Sequence, residues 1–136
     1  MSRRTRARAV AAWLLAAVFA AAGISHLTWG RRGYRIVVPA WAPRATGLDV
    51  DGIVVASGAA ELALAAGLVG LPAERRRVGA AGALFLLAVW PGNVHQWRTR
   101  RSAPLLRTDR ARLIRVLLQP LLVAWALWST GGPGGR

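Results

Sequence analysis

The stretch Val50-Asp51-Gly52-Ile53-Val54-Val55-Ala56-Ser57-Gly58-Ala59-Ala60-Glu61-Leu62-Ala63-Leu64-Ala65-Ala66-Gly67-Leu68-Val69-Gly70-Leu71 is apolar on every side of a helix except at Asp51, Ser57 and Glu61. A hydrocarbon core about 30 Å thick takes about 20 helical residues at about 1.5 Å each, so this segment has the length of a bilayer crossing. Three further stretches repeat the pattern at Ala9–Trp29, Val78–Trp97 and Leu113–Trp128, and arginine-dense connectors separate all four. The last is short. It reaches span length when extended to Asp109, with Arg110, Arg112 and Arg115 laying their methylene stems along the helix and lifting their charges to the headgroups. The expected fold is all-α, a transmembrane four-helix up-down-up-down bundle. Residues 1–8 form a basic N-terminal segment, residues 9–128 the membrane domain, and residues 129–136 a flexible glycine-rich tail.

Hydrophobic residues make up 54% of the 136-residue chain and charged ones 18%, and the two kinds are segregated in blocks rather than interleaved as in a soluble amphipathic bundle. The net charge of +14 would suggest nucleic acid in a soluble protein. Here the arginines sit at span edges, so the expected partners are the bilayer and its anionic headgroups, with no role for nucleic acid. All 19 basic residues are arginine, which reads as a compositional bias without mechanism. Cysteine is absent, which excludes disulfides, thiolate metal ligands and cysteine nucleophiles within this sequence. The arginines ahead of the first apolar run could mark a signal peptide cut near Ala20 to Gly23. The run is longer than the 7 to 15 residues of such a segment, which favours an uncut first helix.

The connector from Gly30 to Asp49 is basic at first and then reads Ile36-Val37-Val38-Pro39-Ala40-Trp41-Ala42-Pro43. Its prolines argue against a continuous helix and its apolar content against a solvated loop. It should lie at the headgroup boundary or fold back over the mouth of the bundle. Small residues at Ala12, Ala16 and Ala20, and at Ala59, Ala63 and Gly67, have the spacing that lets helices approach closely. Pro91 and Gly92 should kink or break the third helix and free carbonyls that Asn93 or a neighbour must satisfy. With both termini cytoplasmic, eight arginines lie inside and eleven outside, yet the four that immediately precede the first helix favour that orientation.

In an up-down-up-down bundle the ends of the first and third helices share a membrane face with the starts of the second and fourth. His26, Asn93 and His95 then lie close to that face, with Gln119 deeper and Glu61 near mid-depth, about 16 Å along the helix from Val50. Ser57 stands one turn from Glu61 on the same side of its helix. One half of the bilayer therefore holds nearly all the polar groups, which points to a pocket. A carboxyl at that depth costs about 2.5 to 3.5 kcal/mol on insertion scales and must point inward. It could relay a proton, or bond Ser57, Asn93 or Gln119 and merely fix packing. His26 and His95 stand near span ends, where a ring is tolerated or can act as a relay. No soluble-enzyme motif and no metal-ligand cluster is present in the sequence.

The order Ala22-Gly23-Ile24-Ser25-His26, then Ile36 to Pro43, then Ser57 to Leu68 around Glu61, then Trp90-Pro91-Gly92-Asn93, resembles the DoxX-like family of small four-helix integral membrane proteins, over about Val10 to Trp128. The family pattern has a Glu where Glu61 stands, a Pro-x-Asn where Pro91 and Asn93 stand, and often a His where His26 stands. Leu27 and Gly92 depart from it, where an aromatic and an alanine are common. Some relatives are membrane subunits of oxidoreductase systems that feed electrons to quinone. The resemblance implies a bacterial inner-membrane protein that is a small subunit or accessory of a redox system, not an enzyme on its own. Its pocket or proton relay would comprise Glu61, His26, Asn93, Ser57, Gln119 and His95, with quinone as the candidate cofactor, a redox protein as partner and no metal. The rival readings are a component for proton or small-solute transport and a structural membrane anchor without a ligand.

Overall fold

The computed structural model describes residues 2–103 and 106–131. Helix α1 (Arg3–Leu27) starts at Ser2, whose hydroxyl accepts the Thr5 amide at 3.2 Å and satisfies one of the free N–H groups of the first turn. Two short helices follow, α2 (Arg31–Tyr34) and α3 (Ala42–Thr46). Helix α4 (Val50–Gly70) is capped by Asp49, which accepts from the Gly52 amide at 2.7 Å. Helix α5 (Arg75–Arg98) is entered through a tight turn at Pro72–Glu74, and α6 (Asp109–Thr130) is capped by Thr108.

The four long helices are each long and apolar enough to cross a membrane, and the chain is a multi-pass membrane protein on that basis. Leu84 is 67% exposed and Leu121 64%, side chains for which acyl chains are the fitting solvent. Each long helix packs on two neighbours, α1 and α5 both lying against α4 and α6. Neighbours run antiparallel. The end of α1 meets the first half of α4 at Gly23 and Gly58, the start of α5 meets the end of α6 at Gly79 and Thr130, and Arg8 near the start of α1 donates to the Gly131 carbonyl just past α6 at 2.6 Å. Leu15, Phe19, Leu68, Leu86 and Ala126 fill the centre, and Phe19 meets Phe85 edge to face with 6.4 Å between ring centroids.

The element boundaries depart from expectation at the basic ends. Arg3 to Arg8 form the first turns of α1 rather than a separate segment, because Ser2 supplies the cap ahead of them. Arg75 to Arg77 likewise begin α5. Ser129 and Thr130, expected in the tail, are buried at the end of α6, where Thr130 donates to the Ala126 carbonyl at 2.7 Å. The remainder of the expected tail, beyond Gly131, lies outside the described residues.

The small-residue stripe expected to seat α4 is also corrected. Gly67 of that stripe is buried against Val78 of α5, but Ala59 and Ala63 are exposed, and the rest of the buried face of α4 is Val54, Gly58, Glu61, Ala65 and Leu68. The contact with α1 closes on glycines. A methyl group added to Gly23 would stand 2.8 Å from the Gly58 carbonyl oxygen, and one added to Gly58 would stand 3.0 Å from that of Gly23. Backbone lies on both sides, so neither helix can make room by turning a side chain.

Helix α5 continues through Pro91 instead of breaking there. The neighbouring helix meets the carbonyl that one intramembrane proline, Pro120, leaves without its N–H. Pro120 has no N–H to give the Val116 carbonyl one turn earlier, and Trp90 Nε1 of α5 donates to that oxygen at 2.9 Å. In return Gln119 Nε2 of α6 donates at 2.8 Å to the Leu86 carbonyl, the neighbour of the Leu87 carbonyl that Pro91 leaves without its usual N–H. Asn93, expected to cap a break, instead gives its Nδ2–H to Gln119 Oε1 at 3.3 Å. No cap is required where the helix does not stop.

Gly23→Ala should lower the unfolding free energy by about 1 to 3 kcal/mol through overpacking. Gly70→Ala, with nothing within 4 Å of the added methyl, should leave it unchanged or slightly higher in the same detergent titration. Trp90→Phe should cost about 1 kcal/mol by stranding the Val116 carbonyl. In a Pro120→Ala background that residue's own N–H returns, and the cost of Trp90→Phe should fall by half or more; an unchanged cost would refute the compensation.

Candidate functional site

Within one half of the bundle the four long helices part around a cavity of about 450 Å³, and the connector between α1 and α4 roofs it. This is the folded-back arrangement of the two that its sequence allowed. Tyr34, Val37, Val38, Pro39 and Trp41 form the roof, while Leu15, Phe19, Phe85 and Leu122 form the apolar floor. The size suits a small amphiphilic molecule. Pro39 is buried there, so the extended Val38–Pro39 backbone turns the connector inward rather than along the headgroups.

Asp51, in the first turn of α4, ties this roof down. Arg31 grips both of its oxygens, Arg31 Nε donating to Oδ1 at 2.9 Å, and Arg35 Nη2 reaches Oδ1 at 2.7 Å. The hydrogen bond to Asp51 pushes the Arg31 guanidinium still further above its ordinary value, so that cation stays charged throughout the physiological range. Basic residues early in the connector, read from sequence as headgroup contacts, thus serve partly as a clamp.

Five of the six residues singled out in the sequence line the cavity: His26, Ser57, Glu61, Asn93 and Gln119. Glu61 is 7% exposed. Its Oε2 lies 2.9 Å from Nδ1 of His26, and that same Nδ1 lies 2.7 Å from the carbonyl oxygen of Ala22. A carbonyl only accepts, so Nδ1 carries the hydrogen. That hydrogen points to Ala22, and Oε2 is left buried without a hydrogen bond among the described residues. The His26 ring is further fixed by stacking on Tyr34, with centroids 3.6 Å apart and planes 14° from parallel, while Ser25 Oγ donates to the Tyr34 hydroxyl at 2.9 Å. None of the packing partners expected for Glu61, namely Ser57, Asn93 and Gln119, bonds it. Asn93 and Gln119 bond each other and the Leu86 carbonyl.

His95 is separated from the others. It borders a shallow depression with Trp41, Trp90, Val94 and Arg98 on the outer side of α5. Two residues after Asn93, it is turned by about 200° around the helix, which aims it away from the cavity.

Two site residues escaped the sequence reading. Tyr34 sat in a connector with no feature to mark it. Arg115, expected to lift its charge to the headgroups, instead lines the cavity and donates from Nη1 to Gln96 Oε1 at 2.9 Å. Its charge acts on both Glu61 and Tyr34. Arg112, expected to behave the same way, is 5% exposed and bonds Ser102 Oγ, the Leu106 carbonyl and Asp109. In both cases acceptors inside the protein lie nearer than the headgroups. An arginine three residues after another on the only helix with Gln at its next inward turn was the available signal.

The cavity wall therefore offers one carboxyl without a hydrogen bond, a guanidinium, a phenol and an imidazole, with Ser57 and the paired amides of Asn93 and Gln119 beside them and a mostly apolar remainder. Among the described residues no group of three or more His, Cys, Asp or Glu side chains is placed to hold a metal ion. Asp51→Asn should release the roof, seen as several-fold faster tryptic cleavage after Arg44 in detergent. Unchanged cleavage would show that the clamp is not what holds it.

No curated protein and no solved structure matches the sequence. Residues 2–130 match the family described as a domain of unknown function, DUF8561. All four long helices, the roof and every cavity residue fall within that match, and the chain belongs to the DUF8561 family.

Proposed function

We propose that this protein is a small subunit or accessory of a redox system in a bacterial cytoplasmic membrane, and that its cavity receives a quinone-type ring. The observation that carries the reading is the Glu61 carboxyl, sunk in an apolar cavity and held without a hydrogen bond beside His26. Burying such an acceptor unpaired costs free energy that packing alone does not return, whereas a polar headgroup in the cavity would satisfy it. The residues suit a ring of this class. The apolar floor takes the ring and the start of an isoprenoid tail, and Arg115 and Tyr34 face its oxygens. The resemblance to DoxX-like proteins supports the same reading by analogy.

In this reading a bound quinone supplies the electron-accepting chemistry, and a partner redox protein supplies the electrons. The chain's own residues hold the ring and exclude water, with the His26 imidazole set against the Glu61 carboxyl. Anionic lipid surrounds the arginine-rich ends. We place both termini in the cytoplasm, so that the roof lies on the opposite face, following the arginines ahead of α1.

Purification in mild detergent followed by extraction and quinone analysis tests the proposal. Near-stoichiometric quinone, oxidised and reduced forms counted together, is expected from the wild-type protein, falling at least about tenfold in Glu61→Ala and Arg115→Ala, the scale of one lost charge-assisted hydrogen bond. Glu74→Gln, in the turn between α4 and α5, should retain it. Quinone-free wild-type protein that takes up protons or a solute in proteoliposomes would replace this reading with transport.

A further inference from the structure

The cavity's hydrogen-bonding groups are not balanced, and the imbalance bears on which oxidation state of a ring it prefers. On the wall, Asn93 and Gln119 each spend one amide N–H within the protein, on Gln119 Oε1 and on the Leu86 carbonyl, and Ser57 adds a hydroxyl beside Glu61. Arg115 and Tyr34 remain as donors toward the interior: Arg115 spends Nη1 on Gln96, and Tyr34 receives a hydrogen from Ser25, which leaves its own O–H to give. On the acceptor side stands the Glu61 carboxyl. Because Nδ1 already carries the hydrogen it gives to Ala22, it has no lone pair to receive one, and Oε2, 2.9 Å away, turns lone pairs and not a hydrogen toward it.

We infer that the cavity selects a headgroup carrying a hydroxyl donor, so that a reduced, dihydroxy ring binds in preference to the oxidised dione. This rests on the reading above that a quinone-type ring enters the cavity. A dihydroxy ring can donate one O–H to Glu61 and accept from Arg115 and Tyr34 at its other oxygen. A dione can accept from the same two donors, but it has nothing to give Glu61 and sets carbonyl lone pairs against carboxylate ones. The shape and apolar area of the two rings are nearly equal, so the difference in binding reports the one hydrogen bond.

The test is anaerobic titration of purified full-length protein in lipid nanodiscs, followed by quenching of tryptophan fluorescence, to which Trp41 in the roof contributes. Three ligands with the same short alkyl tail are compared: a 1,4-benzoquinone, its hydroquinone, and the dimethyl ether of that hydroquinone. The hydroquinone should bind about tenfold or more tightly than either of the others, the scale of one hydrogen bond to a charged group. In Glu61→Gln, whose amide both donates and accepts, the three affinities should converge to within about twofold. Equal binding of all three to the wild type, or tighter binding of the quinone, overturns the preference and leaves the site standing. Binding by none of the three overturns the site itself. The wild-type comparison decides the matter even if the variant fails to fold.

Discussion

A carboxyl group halfway along an apolar helix has to be kept from acyl chains, and much of the bundle follows from that requirement. Glu61 sits on the face of α4 that also carries Gly58 and Ala65, residues small enough to let α1 come close. The approach of α1 at Gly23 brings His26, one turn later, against the carboxyl. Tyr34 then covers the imidazole, and the connector that carries Tyr34 is pinned to the same helix by Asp51. Without the glycine pair the histidine could not reach, and without the histidine the acid would face a cavity with no basic neighbour on its own side.

The other half of the molecule solves a different problem with the same economy. Helices α5 and α6 both contain a proline at membrane depth, where no water can meet a freed carbonyl. Each lends the other a side-chain N–H, Trp90 to the Val116 carbonyl that Pro120 frees and Gln119 to the Leu86 carbonyl next to the one that Pro91 frees, and both helices run on uninterrupted. This exchange also fixes the register of the pair, because each donor reaches only one carbonyl. It explains why Asn93 and Gln119 lie on the cavity wall yet hold structure rather than present free groups to an occupant.

Architecture was legible in the sequence because bilayer thickness imposes a length, and the four apolar runs meet it. The polar half of the bundle was legible for a related reason: up-down connectivity converts positions along the chain into depth, which placed His26, Glu61, Asn93 and Gln119 together. Rotation about each helix axis was not. Ala59 and Ala63 look as suitable for close packing as Gly58, and only the position of α1 distinguishes them. His95 has a suitable depth and the wrong azimuth. Arg115 was misjudged because a long side chain can reach either the headgroups or the interior, and Gln96, which decides it, comes from another helix. The Pro91 break was misjudged because the bonds that tie α5 down on either side of it, at Leu86 and Asn93, come from α6, which the local sequence does not show.

The cavity occupies only one half of the membrane thickness. The half nearer the termini is solid, filled by Leu15, Leu68, Ala126 and their neighbours around Phe19. A dry apolar plug of that kind conducts neither ions nor water, and nearly all of a transmembrane voltage must drop across such a layer wherever the opposite half admits polar or hydrated groups. Where a polar occupant fills the cavity, a charge moving between Glu61 and the roof would cross little of the electric field. Chemistry in this cul-de-sac would be insulated from the energised state of the membrane around it.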